Sequence, residues 1–399
     1  PYGAADEATR VHRAVAVAQL VNEVLAETGE EDDHIPNAKV RVGIDTGLAL
    51  AVNNGRNGYR EPLFLGKPAN MAAKFASNGS VVGIYLTSDA RRAIGLSELD
   101  DGKDASAALT AQEIQTSIDA AKLGVSKTEI VAEWKKDNAD HPIGAIHFSR
   151  STPPLRDLNF NLLTPANSRR MDTVSVYADI DNFTAYVNAY IEDNAENIVR
   201  CLHVIRAELD RVLSSDFGGK RVRFIGDCVH GHLLEGTAYA TDDGVTVSTG
   251  AICAGALRSS FDLALERLEA NDVPIDDLGL AIGFEFGSTA MSRLGIKGSR
   301  ARCSIGRTVL GAEDEQKRCD GTQTAIGPKA YNAGPESVRT LFGTDRRKSG
   351  LTYDDVMESL NADGNKTAKA IRAASVALAM PAVAQAAEQT FRPYAEGRG

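Results

Sequence analysis

The feature of this sequence that most limits its fold is a succession of elements that occurs twice. Lys39–Gly47 matches Gly279–Gly287, and an alanine-rich helical stretch precedes each of them, at Ala4–Glu27 and Thr249–Asn271. After each come a loop, a glycine-led helix and a short strand, at 66–76 and 81–86 in one copy and at 306–318 and 322–326 in the other. The shared order predicts two copies of one unit. The alternative is a chance resemblance between two β-hairpins.

Only the second copy contains an N-terminal half. That half consists of a strand at 173–180, helices over 183–214 and a pair of strands over 221–235. The first copy begins directly with its alanine-rich helix, and half a sheet would expose long unpaired edges. We therefore expect the natural protein to extend upstream of Pro1, rather than the first copy to be a trimmed accessory.

The repeat and the proline positions predict four regions. These are a partial first domain over 1–150, a linker over 151–170, a complete second domain over 171–345 and a helical extension over 346–399. Pro153, Pro154 and Pro165 mark the linker, because proline clusters are typical of connections between domains.

Shorter elements are predicted between and after the copies. Gly102–Ala121 and Lys127–Asp137 have helical patterns, and Ile143–Phe148 is predicted as a strand that closes the first sheet. In the extension, Lys366–Thr390 is predicted as a helix that Pro381 kinks or breaks.

The composition excludes several classes of protein. The formal net charge of −10 leaves no basic stripe for a nucleic acid, so no nucleic-acid partner is expected. Five cysteines without a Cys-x-x-Cys pair favour a reducing compartment and a cytoplasmic location. No apolar run approaches the roughly 18 residues that span a bilayer, so no membrane partner is expected.

Two aspartates stand out for chemistry. Asp179 and Asp227 each follow an apolar strand-like stretch, so both carboxylates are expected in the middle of a sheet. Two such carboxylates repel each other unless divalent cations lie between them. This arrangement predicts two-metal phosphoryl transfer. The alternative is that each aspartate caps a turn.

The segments around these aspartates carry a family resemblance. Ala-Asp-Ile-Asp-Asn-Phe-Thr (178–184) and Arg-Phe-Ile-Gly-Asp-Cys (223–228) resemble the two metal motifs of class III nucleotidyl cyclases. The resemblance implies an α+β fold of ferredoxin-like, palm-type βαββαβ cyclase domains, here a tandem pseudo-heterodimer whose first copy lacks its front half. Asn182 replaces the family's glycine, a mild change because asparagine tolerates positive φ.

The same resemblance implies a set of site residues. Two ions, Mg²⁺ or Mn²⁺, would be held by Asp179, Asp227 and the carbonyl of Ile180, while the loop of Asn182, Phe183 and Thr184 would cradle the phosphates. The ribose 3′-hydroxyl would attack the α-phosphorus and expel pyrophosphate. The active site would lie between the two tandem domains, and a homodimer is also allowed.

The family's second pair of catalytic residues occurs in only one copy. Asn70 and Lys74 match the Asn-x-x-x-Arg pattern that positions the ribose and stabilises phosphate charge, and four-residue spacing puts both on one helix face. Leu310 and Asp314 occupy these places in the second copy, where neither can do this work. We predict one complete site and one inactive site.

The base is assigned by a narrower resemblance. Tyr177 and Arg223 resemble residues of bacterial Pycsar-type pyrimidine cyclases, which implies UTP or CTP as substrate, a downstream effector that binds the cyclic nucleotide, and a role in anti-phage defence. The alternatives are that Tyr177 packs in the core, and that Arg223 pairs with a surface acid or lines the inactive site. His230 and His232 are expected on a solvent face, as is common for His-x-His on a strand.

Other functions stay open at this point. They are an adenylate or guanylate cyclase, a catalytically silent nucleotide-binding regulatory module, and a palm-type polymerase, which the acidic composition disfavours. A diguanylate cyclase lacks support, because the sequence at its hairpin position is Ile225-Gly226-Asp227-Cys228.

Overall fold

The structure, a computed structural model, describes residues 6–27, 37–54, 61–99, 107–142, 144–295, 300–362, 364, 365 and 367. The chain forms two compact units, which are described separately. The first comprises residues 1–142 with Val187–Asp193, and the second residues 143–186 with 194–399. The predicted domain limits at residues 150, 170 and 345 stay predictions.

The first unit combines helices with two small sheets. Its elements are α1 (Glu7–Glu27), β1 (Arg41–Ile44), β2 (Leu50–Asn54), β3 (Glu61–Leu65), α2 (Lys67–Ser77), β4 (Gly83–Leu86), α3 (Ser88–Ala93), α4 (Ala111–Ala121) and α5 (Lys127–Asp140). Strands β1 and β4 pair in parallel, and β2 and β3 form an antiparallel hairpin.

The core of this unit follows from the spacing of apolar residues on α1. Val11, Val15 and Ala18 recur at one-turn intervals and are buried against β1 and β4, where Ile84 and Leu86 are also buried. The helix predicted from residue 102 begins only at Ala111, because Thr110 and Glu113 form a capping box there. The earlier part of that prediction, residues 102–106, lies outside the described residues.

The second unit is built on one eight-stranded sheet. Its strands are β5 (Phe148–Ser149), β6 (Ser168–Asp181), β7 (Lys220–Ile225), β8 (Cys228–Leu233), β9 (Gly279–Leu294), β10 (Ala301–Ile305), β11 (Gln323–Ile326) and β12 (Arg347–Ser349). Its helices are α6 (Phe183–Tyr190), α7 (Ala195–Arg211), α8 (Asp243–Glu269), α9 (Arg307–Lys317), α10 (Pro328–Ala333), α11 (Glu336–Phe342) and α12 (Tyr353–Ala362). The predicted α+β class is confirmed.

Strand β6 lies at the centre of this sheet, antiparallel to β9 on one side and to β8 on the other. Its side chains alternate between two faces. Val174, Val176 and Ile180 are buried on one face, where a Cβ on Gly250 of α8 would lie 3.0 Å from a methyl of Val174. Tyr177 and Asp179 lie on the opposite face, so the alternation of β6 separates the packing face from the polar face.

The strand predicted over Ile143–Phe148 is wrong in extent and in partner. The described residues 144–147 form no strand, and β5 pairs in parallel with the start of β6, in the sheet of the second unit. The start of β6 extends past its pairing with β8, which leaves an edge on which two residues of β5 fit. The helix predicted over Lys366–Thr390, with its break at Pro381, lies outside the described residues apart from Thr367.

The two units repeat the same close contact between a strand and a helix. A Cβ built on Gly43 of β1 would lie 2.0 Å from the carbonyl oxygen of Ala72 in α2. A Cβ on Gly283 of β9 would lie 2.1 Å from the amide nitrogen of Gln316 in α9. Glycine is required at both places because the helix backbone occupies the space of a side chain. No described helix is long and apolar enough to cross a membrane.

Candidate active site

The two acidic residues of the predicted metal site lie at the same end of neighbouring strands. Asp179 is near the C-terminal end of β6, and Asp227 is in the two-residue turn that joins β7 to β8. Gly226 precedes it with a φ of 61°, which glycine adopts without strain in a tight hairpin turn. The expectation that both carboxylates lie in the middle of a sheet is therefore wrong for Asp227, because the Gly-Asp pair forms the turn and places this carboxylate at the tip of the hairpin.

Both carboxyl groups are partly buried, and burial makes the ionised form of each less favourable than in water. Burial raises the pKa of Asp179 to about 6, with a smaller opposing effect from a hydrogen bond with Cys228. Burial and the charge of Asp179 raise the pKa of Asp227 to about 7. The two carboxylates therefore repel each other, as the sequence predicts, and a cation between them would relieve that repulsion.

Two neighbours of this pair were not anticipated from the sequence. Cys228 begins β8, is buried and shares a hydrogen bond with Asp179. Arg206 of α7 is 5% exposed, and its charge lowers the pKa of Asp227. Its guanidinium carbon lies 3.9 Å from the ring centroid of Phe224. In the sequence, the signal that could have pointed to Arg206 is an arginine next to the apolar stripe of α7.

The loop after β6 has the backbone that its sequence predicts. Asn182 adopts a φ of 61°, the left-handed conformation for which the family uses glycine. Its side-chain amide donates to the carbonyl of Asp277 at 3.0 Å. The Phe183 side chain is buried and stacks on Tyr186 with ring centroids 5.9 Å apart, while Thr184 is partly buried. Phe183 can therefore offer a ligand its backbone amide but not its ring.

The predicted base-recognition residues lie on the polar face of the same sheet. Tyr177 is buried, in a cluster with Cys228, Val309 and Ala312, and Arg223 is exposed on β7. The prediction that His230 and His232 face solvent is wrong. They are 2% and 0% exposed, because this face of β8 is covered.

The second predicted catalytic pair lies on α2 of the first unit. Asn70 is partly buried and Lys74 is exposed, one turn apart on the helix that follows Gly66. In the corresponding helix α9, Leu310 is 62% exposed and Asp314 is exposed. The chemical difference between the two helices is therefore carried by side chains that are available to a ligand.

The donor set fits a divalent cation. The described residues contain no group of three or more His, Cys, Asp and Glu side chains that could hold a metal alone. Two carboxylates are nevertheless what Mg²⁺ commonly takes from a protein, with water and substrate phosphates filling the other positions. Asp179 and Asp227 fit that kind of site.

Comparison with known proteins identifies the family. A protein of Pseudomonas aeruginosa named uridylate cyclase is 56% identical over 388 residues, which are 97% of this chain and 75% of that protein. A uridylate cyclase of a Rhizobium species is 41% identical over 357 residues, 86% of this chain and 67% of that protein. No family model matches the chain.

A solved structure agrees with these relatives. The crystal structure of a class III adenylyl cyclase-like ATP-binding protein from Pseudomonas aeruginosa is 58% identical, covers 89% of this chain and 74% of its own, and has a TM-score of 0.85. The chain therefore belongs to the class III nucleotide cyclases. It is an enzyme that converts a nucleoside triphosphate to a cyclic nucleotide, and the predicted cyclase fold is confirmed.

Proposed function

We propose that this cyclase acts on UTP, forming 3′,5′-cyclic UMP and pyrophosphate. The observation that supports the site is the position of two partly buried carboxyls, Asp179 and Asp227, at the same end of neighbouring strands, where burial raises both pKa values and the charge of Asp179 raises that of Asp227 further. The base rests on the two relatives named uridylate cyclase and on Tyr177 and Arg223, which share a face of the sheet.

Asp179, Asp227 and the carbonyl of Ile180 are the groups that would hold two ions, Mg²⁺ or Mn²⁺. Such ions, when bound, supply positive charge for the phosphates and make the ribose 3′-hydroxyl more acidic. The backbone amides at the start of α6, from Phe183 and Thr184, donate to phosphate oxygens, which a helix N-terminus favours. The turn at Asn182 holds the backbone in the conformation that this needs.

Asn70 and Lys74 complete the chemistry in this proposal. Asn70 hydrogen-bonds the ribose so that its 3′-hydroxyl is directed at the α-phosphorus. Lys74 stabilises the negative charge that develops on the phosphates as pyrophosphate leaves. Lysine supplies a single charge without the paired geometry of arginine, so it restrains the phosphate less. The proposed role of the product is that of a signal to an effector that binds cyclic nucleotides, in defence against phage.

ATP is the second candidate substrate, because the solved relative is described as an ATP-binding protein. The two candidates predict different products from the same protein. Incubation with Mn²⁺ and each of UTP, CTP, ATP and GTP, followed by mass spectrometry, separates them. Cyclic UMP in clear excess supports the proposal, with Asp227→Asn as the matched control that forms none. Cyclic AMP in excess retains the mechanism and overturns the base assignment.

A further inference from the structure

His230 lies in the middle of a row of residues that crosses four strands. In the registered pairs, Arg223 of β7 is opposite His230 of β8, His230 is opposite Tyr177 of β6, and Tyr177 is opposite Gly283 of β9. Residues opposite each other in neighbouring strands point to the same face. His230 therefore separates the two residues to which base recognition is assigned above.

The imidazole of His230 is stacked on the phenol ring of Tyr177. The ring centroids are 4.2 Å apart and the planes differ by 13°. The Ser175 hydroxyl lies 3.3 Å from Nε2 and holds the other edge of the imidazole. Burial lowers the pKa of His230 well below its ordinary value, and the charges of His232 and Arg223 act in the same direction. The ring is therefore neutral and its orientation is restrained.

Among the residues that surround Tyr177 in its buried cluster and in the neighbouring strands, His230 is the one whose ring stacks on the phenol. Val309 and Ala312 of α9 and the thiol of Cys228 complete the buried cluster around the phenol. On the β9 side, Gly283 has no side chain, and the backbone of α9 fills the space in which one would lie. Because α9 already occupies that side, removal of the imidazole is the change that would free the stacked face of the phenol.

We propose that His230 is a positioning residue that fixes the ring of Tyr177 and thereby sets the preference of the enzyme for its base. The inference rests on the proposed function, since it concerns the selection between UTP and other nucleotides. His230 acts through Tyr177 and makes no contact with substrate in this account. The proposal gives a role to His230, the first histidine of the His-x-His pair on β8, and assigns none to His232.

The test compares three changes of His230 with one change of His232. His230→Ala removes the stack, His230→Met fills the volume without a flat face, and His230→Phe restores a flat ring. His232→Ala is the control, because it removes a buried imidazole that meets His230 edge-on, with ring centroids 5.1 Å apart, but lies opposite Ser175 rather than Tyr177. The measured quantity is the ratio of kcat/KM for UTP to kcat/KM for CTP and for ATP. An inactive fraction of a preparation does not alter this ratio.

We expect the ratio to fall roughly three- to tenfold in His230→Ala and His230→Met, as the loss of one aromatic stack predicts. His230→Phe is expected to stay within about twofold of the wild type, and so is His232→Ala. An unchanged ratio in His230→Met, or an equal fall in His232→Ala, overturns the inference. If Tyr177→Ala lowers the ratio while His230→Met does not, the inference alone fails. A wild type that forms no cyclic nucleotide overturns the proposed function and this inference together.

Discussion

The two units hold an acidic residue at the same place in the repeat and use it in different ways. Asp45 of the first unit accepts a hydrogen bond from the hydroxyl of Thr87, which also caps α3. Glu285 of the second accepts from the amides of Phe286 at 2.8 Å and Ala330 at 2.7 Å, at the start of α10. In both, the acid connects the strand segment before it with the helix that follows the parallel neighbouring strand, which is β4 in the first unit and β11 in the second.

The longer side chain of Glu285 fits because the residue opposite it is a glycine. Gly327 occupies the place of Thr87, and a Cβ there would lie 2.4 Å from Cδ of Glu285. A short acid with a threonine and a long acid with a glycine fill the same space. The first arrangement is less complete, because Oδ2 of Asp45 is buried without a hydrogen-bond partner among the described residues. Burial accordingly raises the pKa of Asp45. The comparison shows that the two copies keep the same contact between strand and helix but form it with different residues.

The largest predicted effect is on turnover, and it distinguishes the aspartates of the proposed metal site from Asp45. Asp179→Asn and Asp227→Asn are each expected to lower turnover by at least about 100-fold, because the metal ligands are lost. Asp45→Asn is expected to change stability and leave turnover within about threefold of the wild type. Turnover is measured as product formation by mass spectrometry, and stability is measured by thermal unfolding. Comparable loss of turnover at Asp45 and Asp227 would contradict the assignment.

The next effect compares the two helices α2 and α9. Lys74→Ala is expected to slow cyclisation roughly 10- to 100-fold, because a charge that stabilises the phosphates is removed. Asp314→Ala, the matched change in α9, is expected to have little effect. Steady-state rates with UTP measure both. Equal losses of rate would show that α2 and α9 contribute equally to catalysis, and the prediction of one complete site would be wrong.

The compensation between Glu285 and Gly327 can be tested by exchange. Gly327→Thr is expected to destabilise the protein by about 1–3 kcal/mol, because the added side chain overlaps the carboxyl of Glu285. Glu285→Asp together with Gly327→Thr reproduces the pair of the first unit and is expected to recover at least about half of that loss. Denaturant unfolding gives the free energies. A double variant less stable than Gly327→Thr would refute the compensation.

The last effect is a dependence of the stability of the second unit on pH in the absence of metal. The folded pKa values of Asp179 and Asp227 lie above the ordinary value of about 4, so the folded state keeps protons that the unfolded state has lost. The free energy of unfolding is therefore expected to fall as the pH rises from about 4 to about 7, by on the order of 1 kcal/mol for each pH unit. Asp227→Asn should flatten this dependence, and Mn²⁺ should offset it. A rise in stability over that range would contradict the electrostatics.

Much of the site was predictable from local sequence. The pair of strands predicted over 221–235 is present as β7 and β8, and the positive φ expected to be tolerated at Asn182 was confirmed by its φ of 61°. These are short-range properties, since a turn conformation depends on the two or three residues that form it. The motifs around Asp179 and Asp227 likewise sufficed for the family.

The partner of the short strand β5 was beyond the reach of local sequence. Its apolar pattern predicts a strand near Phe148 but does not say which sheet accepts it. In the structure Phe148 and Ser149 pair with Ser168 and Arg169 of β6, in the second unit rather than the first. A free edge on another strand decided that pairing.

Tertiary structure alone likewise decides which faces of the sheet are covered. Alternation in β8 predicts that His230 and His232 share a face, but it does not say whether that face is covered, and both are buried. The sequence thus determined most of the strands, the turns and the acidic pair, because these depend on neighbours along the chain. The burial of the histidines, the stack on Tyr177 and the approach of Arg206 to Asp227 depend on distant segments, so only the folded chain settles them.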